Sequence, residues 1–500
     1  MGQMNRLGKN LLVYGIGDAI RPLVSLALLP LLTTYLSPSD YGIAGMLGLL
    51  SALVTVIFSL GLGSIIGAYF FDDNGKKKGA VIWTSFLILS FSSLILVLLG
   101  ILESKSISLL LFGSDNNSYL VWISLLTTAL TIITVPFTLY MQFEEKRFTY
   151  QSLTTGMALL NVTSVVMLVV FFKRGINGMI EGGLISQFVT VFLYAMVSPK
   201  PPFRYDFQLG KQMMQSGFLL IPGFGFVFIL GQNARYLLEM FHGLDAVGML
   251  GIGIGLATPI SLVSNAFQKA WMPFFMSYTN KISEAKDVLG RVLLYYVCGF
   301  GALLLVICAA AKPAVMLLTT SRFTDAYYIV GLTAAGQFLS GVFSILLPPL
   351  YFSKEVTRTS VIHGISAVVA ILFGLIIIPS FGLIGAGITQ MVGFLAMCIL
   401  IHIWNRSQGN IYLQINYPWR RILLYPPIYF IYLLITLWPR NIGLPLEILF
   451  SLSLIIPIPA LFFIMLSGYE RKRGLHLGRQ FLKRLGILNF SNISEPVASN

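Results

Sequence analysis

Charge is what this sequence most lacks. Asp, Glu, Lys and Arg supply only 10% of its 500 residues, while 56% are hydrophobic. A soluble domain carries about 25% charged residues. A soluble globule this poor in charge could not cover its own surface, so the composition points to a chain solvated by lipid. Cysteine is scarce as well, with only Cys298, Cys308 and Cys398. The first two fall on one predicted helix roughly 15 Å apart, too far for a disulfide. With no metal-ligand spacing, all three read as apolar packing residues. The sequence has no Ser-His-Asp pattern, zinc motif, P-loop or dinucleotide fingerprint, so neither direct ATP use nor a cofactor is expected. It also lacks the alternating pattern of an outer-membrane barrel. Its longest connection is only about 20 residues, which leaves no room for a soluble catalytic domain.

Long apolar runs are abundant. A membrane-crossing helix needs roughly 20 mainly apolar residues, and about fourteen such runs occur. They lie near 10–36, 41–71, 79–102, 119–142, 150–172, 177–198, 213–239, 247–271, 290–311, 327–352, 359–379, 383–404, 421–439 and 446–467. The expected fold class is therefore an all-α polytopic membrane protein. Arg6 and Lys9 precede a first run too long for a signal-peptide core, so a retained first helix is expected. Arg6 also stands where a myristoylation signal needs Ser or Thr.

The net charge of +14 raises the question of a nucleic-acid partner, but its distribution argues against one. If the N-terminus is cytoplasmic, most of the 33 Lys and Arg fall in inside loops. Examples are Lys76-Lys77-Lys78, Lys146-Arg147, Arg420-Arg421 and Arg471-Lys472-Arg473. This is the positive-inside bias, and it predicts a multi-pass membrane protein with both termini in the cytoplasm. The basic groups then meet anionic membrane lipids. The tail from Tyr469 to Leu488 mixes Arg and Lys with Leu and Phe. It reads either as a basic helix on the inner leaflet or as a stop-transfer charge cluster.

Three short segments recur in the same order. Leu36-Ser37-Pro38-Ser39-Asp40-Tyr41-Gly42 pairs with His242-Gly243-Leu244-Asp245-Ala246-Val247-Gly248. Each sets an Asp just before a helix start, the expected N-cap position. Pro136-Phe137-Thr138-Leu139-Tyr140 pairs with Pro348-Pro349-Leu350-Tyr351, and Gly175-Ile176-Asn177-Gly178 pairs with Gly382-Leu383-Ile384-Gly385. Six spans separate the members of each pair, which predicts two parallel six-helix bundles with a substrate site between them. The expected division is a first bundle over 1–198, a linker over 199–212 and a second bundle over 213–404. A linker with two further spans follows over 405–468, and a basic tail over 469–500.

The two Asp/Gly turns and the six-plus-six repeat resemble the polysaccharide exporters of the multidrug/oligosaccharidyl-lipid/polysaccharide superfamily. The chain looks most like Wzx-type flippases of lipid-linked O-antigen and capsule repeat units, over roughly residues 10–404. Relatives include MurJ and the MATE exporters. About fourteen spans exceeds the usual MATE count and matches the MurJ-like one. The resemblance implies a V-shaped pair of bundles that open alternately to each side. It implies an undecaprenyl-pyrophosphate-linked oligosaccharide as substrate, with polysaccharide polymerase and chain-length machinery as further partners.

Charges inside spans are costly and tend to face a bundle interior or a cavity. Asp18 and Arg21 share a face of the first span at i and i+3, and Arg235 and Glu239 share one of the seventh at i and i+4. Lys269 falls near the inner end of the eighth span and Glu181 near the outer end of the sixth. The expectation is that Arg21, Arg235 and Lys269 bind pyrophosphate, since guanidinium stays charged and bonds phosphate bidentately. Asp18, Glu181 and Glu239 are the candidates for a coupling cation. The competing reading is structural: ion pairs locking helices together, or side chains snorkelling to the interface. Transport rather than catalysis is expected. A MATE-like multidrug exporter would favour an acidic, aromatic pocket, and a membrane polysaccharide polymerase or ligase a large outside loop. The longest outside loop here, about residues 103–118, is short and has no histidine.

Overall fold

The computed structural model describes residues 22–465 apart from 73–77, 199, 280–281, 354, 356, 408–414, 439 and 441. The described residues are helical, with no β-strand among them. After a helical segment at 22–27, α1 (Leu29–Tyr35) leads into α2 (Pro38–Phe58), α3 (Leu62–Phe71), α4 (Lys78–Phe112) and α5 (Ser118–Phe143). Next come α6 (Arg147–Val166), which runs on as a π-helix over Met167–Phe171, and α7 (Gly175–Val197). The short α8 (Phe207–Phe218) is followed by α9 (Ile221–Met276), α10 (Ile282–Leu318), α11 (Tyr327–Leu346), α12 (Pro348–Phe352) and α13 (Arg358–Ser407). The chain closes with α14 (Trp419–Ile422), α15 (Tyr425–Leu437), α16 (Leu444–Ile455) and α17 (Ile458–Met465).

Among the described residues, eleven helices are long and apolar enough to cross a membrane. The two longest break at one glycine each: α9 at Gly243 (φ 74°, ψ −175°) and α13 at Gly382 (φ 49°, ψ −122°). Each therefore crosses twice. Among the described residues the eleven helices thus supply thirteen candidate crossings. Two large apolar clusters form most of the interior, with a small third one at Leu32, Leu36, Val165 and Val169. One gathers Met46, Phe70, Leu89 and Ile132. The other gathers Phe275, Tyr296, Phe338 and Ile345 with Tyr425, Tyr429 and Phe462 of the last crossings.

The repeated segments share geometry. Gly175 and Gly382 both have positive φ, 56° and 49°, where glycine alone is unstrained. Three residues on, each repeat presses a second glycine onto the preceding helix. A Cβ at Gly178 would lie 3.0 Å from Leu168 O, and one at Gly385 would lie 2.9 Å from Ile377 O. The Asp/Gly turns go further, because they pack on one another. Gly42 abuts the Leu244 carbonyl and Gly248 abuts the Pro38 carbonyl, so closely that neither glycine has room for a Cβ.

One local expectation needs correcting. Asp40 is the third residue of α2 and not its N-cap. Ser37 caps the helix: Asp40 N donates to Ser37 Oγ at 3.2 Å, and Ser37 N donates to Asp40 Oδ2 at 2.8 Å. Pro38 explains the earlier start, since its missing N–H costs nothing at the first helical position, and the reciprocal bonds make a capping box.

The last crossings are tied firmly to the second repeat. Tyr425 and Tyr429 donate their hydroxyls to Gly301 O and Gly331 O, each at 3.2 Å. At the other end, Glu447 of α16 is fully buried between Lys312 Nζ of α10, at 2.7 Å, and Arg440 NH2, at 3.5 Å. Lys312 also donates to Arg440 O.

Candidate functional site

A cleft of about 420 Å³ lies between α2–α3 and the first crossing of α9. The α2–α3 wall is broken at Ser59–Gly61, with φ of 53° at Leu60 and 67° at Gly61. Thr55, Ser59 and Ser64 line it there. Across the cleft stand Phe224, Phe228 and Gln232, at i, i+4 and i+8 on one face of α9. Small and hydroxyl residues on one wall thus face aromatic rings and one amide on the other.

Arg235 lies one turn beyond Gln232. Its NH1 donates to Gln232 Oε1 at 3.1 Å and to Gly45 O of α2 at 3.3 Å. Its Nε is buried without a partner. Among the described residues no carboxylate pairs with Arg235. A guanidinium stays ionised in protein interiors, so a fixed positive charge sits here among neutral oxygens, where a charge is expensive to hold. Just beyond it, the reciprocal contacts of Gly42 with Leu244 and Gly248 with Pro38 bring α2 and α9 together. The cleft therefore has a closed end, with Arg235 next to the closure. Near the break in α2–α3, Gly61 and Gly217 of α8 meet backbone to backbone.

The other sequence candidates fall elsewhere. Glu239 follows Arg235 by one turn and is half-buried. Glu181 is buried and lies in a different setting: Arg174 NH2 bonds it at 2.8 Å and Tyr119 OH donates to it at 2.9 Å. Lys269 is exposed. None of Arg235, Glu239, Glu181 and Lys269 is among the residues that line the cleft. Asp18 and Arg21 lie outside the described residues. Of the intramembrane amides, Asn161 donates to Ser186 Oγ at 3.1 Å, joining α6 to α7.

Sequence reasoning missed the buried Lys312–Glu447–Arg440 group. Lys312 precedes Pro313, which reads as the end of a span. In the structure Pro313 lies inside α10, which continues to Leu318. Glu447, one residue inside its predicted span, was the available signal.

Comparison with known proteins fits this architecture. The profile of a family described as "Polysaccharide biosynthesis protein" matches residues 31–328, more than half of the chain. "Lsg locus putative protein 1" of Haemophilus influenzae is 23% identical over 394 residues, covering 76% of this chain and 94% of that protein. An inward-facing multidrug resistance MATE family transporter of the MOP superfamily superposes with a TM-score of 0.64 at 13% identity, over 81% of this chain and 96% of that one. The lipid II flippase MurJ, in an inward closed conformation, superposes with a TM-score of 0.61 at 14% identity, over 90% of this chain and 98% of that one. The chain thus has the all-helical fold of the MATE and MurJ transporters, and it belongs to the polysaccharide biosynthesis protein family.

Proposed function

We propose that the protein is a flippase. It carries a lipid-linked oligosaccharide repeat unit, joined to undecaprenyl pyrophosphate, from the cytoplasmic to the outer face of a bacterial cytoplasmic membrane. The glycan serves O-antigen, capsule or exopolysaccharide synthesis, with the polymerase and chain-length machinery as downstream partners. The observation that carries this reading is Arg235, a guanidinium bonded to Gln232 of the cleft wall and with no carboxylate partner among the described residues. An anionic headgroup supplies the missing countercharge, and guanidinium suits phosphate oxygens. A cationic drug would meet repulsion at the same place.

In this mechanism residues 1–198 and 213–404 act as two halves that rock about the cleft. The headgroup reaches Arg235 from the cytoplasmic side while the polyprenyl chain stays in lipid. Separation of the Gly42 and Gly248 turns then releases the headgroup outside. Arg21 is assigned to the same headgroup, and Lys269 to its approach from the cytoplasm. Gradient coupling falls to Glu239, the acid one turn from Arg235, with Asp18 and Glu181 as the other candidates. Glu181 would first have to leave Arg174.

The test is deletion of the gene followed by analysis of lipid-linked intermediates. Complete repeat units should accumulate on the cytoplasmic face, and Arg235→Gln should reproduce this at normal protein levels. Normal surface glycan with altered drug sensitivity would replace this reading with multidrug export. Accumulation of single repeat units on the outer face would replace it with polymerisation or ligation.

A further inference from the structure

A second polar cavity, of about 280 Å³, lies far along the chain from the cleft residues. The last turn of α13 supplies His402, Asn405 and Arg406, and the segment leading into α14 supplies Asn416, Tyr417 and Trp419. One candidate crossing ends here and the next begins, which places the cavity at the level of the lipid headgroups. Trp419 and Tyr417 suit that level, because amphipathic rings settle at the membrane–water interface.

The cavity is built from fixed parts. Asn416 N donates to Lys286 O at 3.3 Å, and Asn416 Nδ2 donates to Asp287 Oδ1 at 2.8 Å. Gly290 has no side chain, which lets the Asn416 carbonyl lie directly against α10. The His402 ring meets Trp419 edge-on, with centroids 4.7 Å apart. Asn405 gives one amide hydrogen to Leu346 O at 3.0 Å and has a second to offer.

Among the described residues no carboxylate lines the cavity, and Asp287 is engaged by Asn416. Arg406 has no carboxylate partner among the described residues, and Arg420 and Arg421 follow just after Trp419. The site therefore joins a guanidinium, an imidazole and amides, with a surplus of positive charge, at headgroup depth. We propose that it binds a phosphate group, with Arg406 as the principal ligand and an anionic phospholipid headgroup as the source. Free phosphate shares this chemistry and is the other source.

The full chain in phosphatidylcholine vesicles tests this by fluorescence. Brominated phosphatidylglycerol or brominated phosphatidylcholine quenches tryptophan on contact, and the difference between wild type and Trp419→Phe isolates Trp419. Quenching of Trp419 by the brominated phosphatidylglycerol should exceed that by the phosphatidylcholine. Arg406→Gln should cut this preference about tenfold, and Arg406→Lys should restore most of it. Loss of the excess on adding inorganic phosphate would support the phosphate site with free phosphate as an occupant. Persistence of the excess would support it with the lipid as occupant. Equal quenching by both lipids, or an excess that survives Arg406→Gln, would overturn the proposal.

Discussion

Replacing Glu447 by Gln removes the only negative charge from a buried group of three. The carboxylate is fully buried, while the side chains of Lys312 and Arg440 are 9% and 14% exposed. Neutralising Glu447 leaves two cations with backbone hydrogen bonds but no countercharge, in a region from which water is largely excluded. Breaking a buried pair in this way typically costs about 3–5 kcal/mol. The Lys312 and Arg440 contacts join α10 to the α15–α16 connection, so the cost should appear there first. The assay is hydrogen exchange on the purified protein, following the segments over 425–437 and 444–455. Both should lose protection in Glu447→Gln while the cleft helices keep theirs. Lys312→Met supplies the control. It deletes one of two cations and leaves Glu447 balanced by Arg440, so its effect should be clearly smaller. Equal loss of protection in the two variants, or none in Glu447→Gln, would refute the charge argument.

Arg235→Lys should keep part of the transport that Arg235→Gln loses, since it retains the charge but not the bidentate fork; transport assays at matched expression compare the two. Ser37→Ala should cost about 1 kcal/mol through the lost cap, read as a lower thermal midpoint with the fold intact. Gly382→Ala puts a side chain where φ is 49°, a left-handed conformation costing roughly 1 kcal/mol or more, and should destabilise more than Gly225→Ala, where a Cβ meets nothing within 4 Å. Gly248→Val should hold the Gly42 and Gly248 turns apart and raise accessibility to a thiol reagent of a cysteine placed at Gln232, measured by labelling from outside.

Crossings and repeat were legible because both rest on local chemistry. Apolar run length reports a span directly, and the Gly175 and Gly382 segments stood out as a repeated pair, though their left-handed backbone came only with the structure. The cleft was less legible. Arg235 stood out as a charge in a span, but its meeting with Gly45 lies between residues 190 apart in sequence, and no spacing rule reaches so far. Glu181 looked like Glu239 in sequence. Only the fold brings Arg174 and Tyr119 to one and not to the other. Lys312 was lost through a proline, because Pro313 ends a helix by propensity yet here sits within one held by its neighbours.

The contact between the two Asp/Gly turns is reciprocal, with each glycine receiving the other turn's carbonyl. In symmetry terms this is an isologous interface of the kind that joins two identical subunits, folded into a single chain. Such an interface has no separate left and right parts to release in sequence. Substitutions at Gly42 and Gly248 should therefore be non-additive, each disrupting what is physically one contact. In the proposed alternation of the two halves, the Gly42 and Gly248 turns would therefore part together, as one latch.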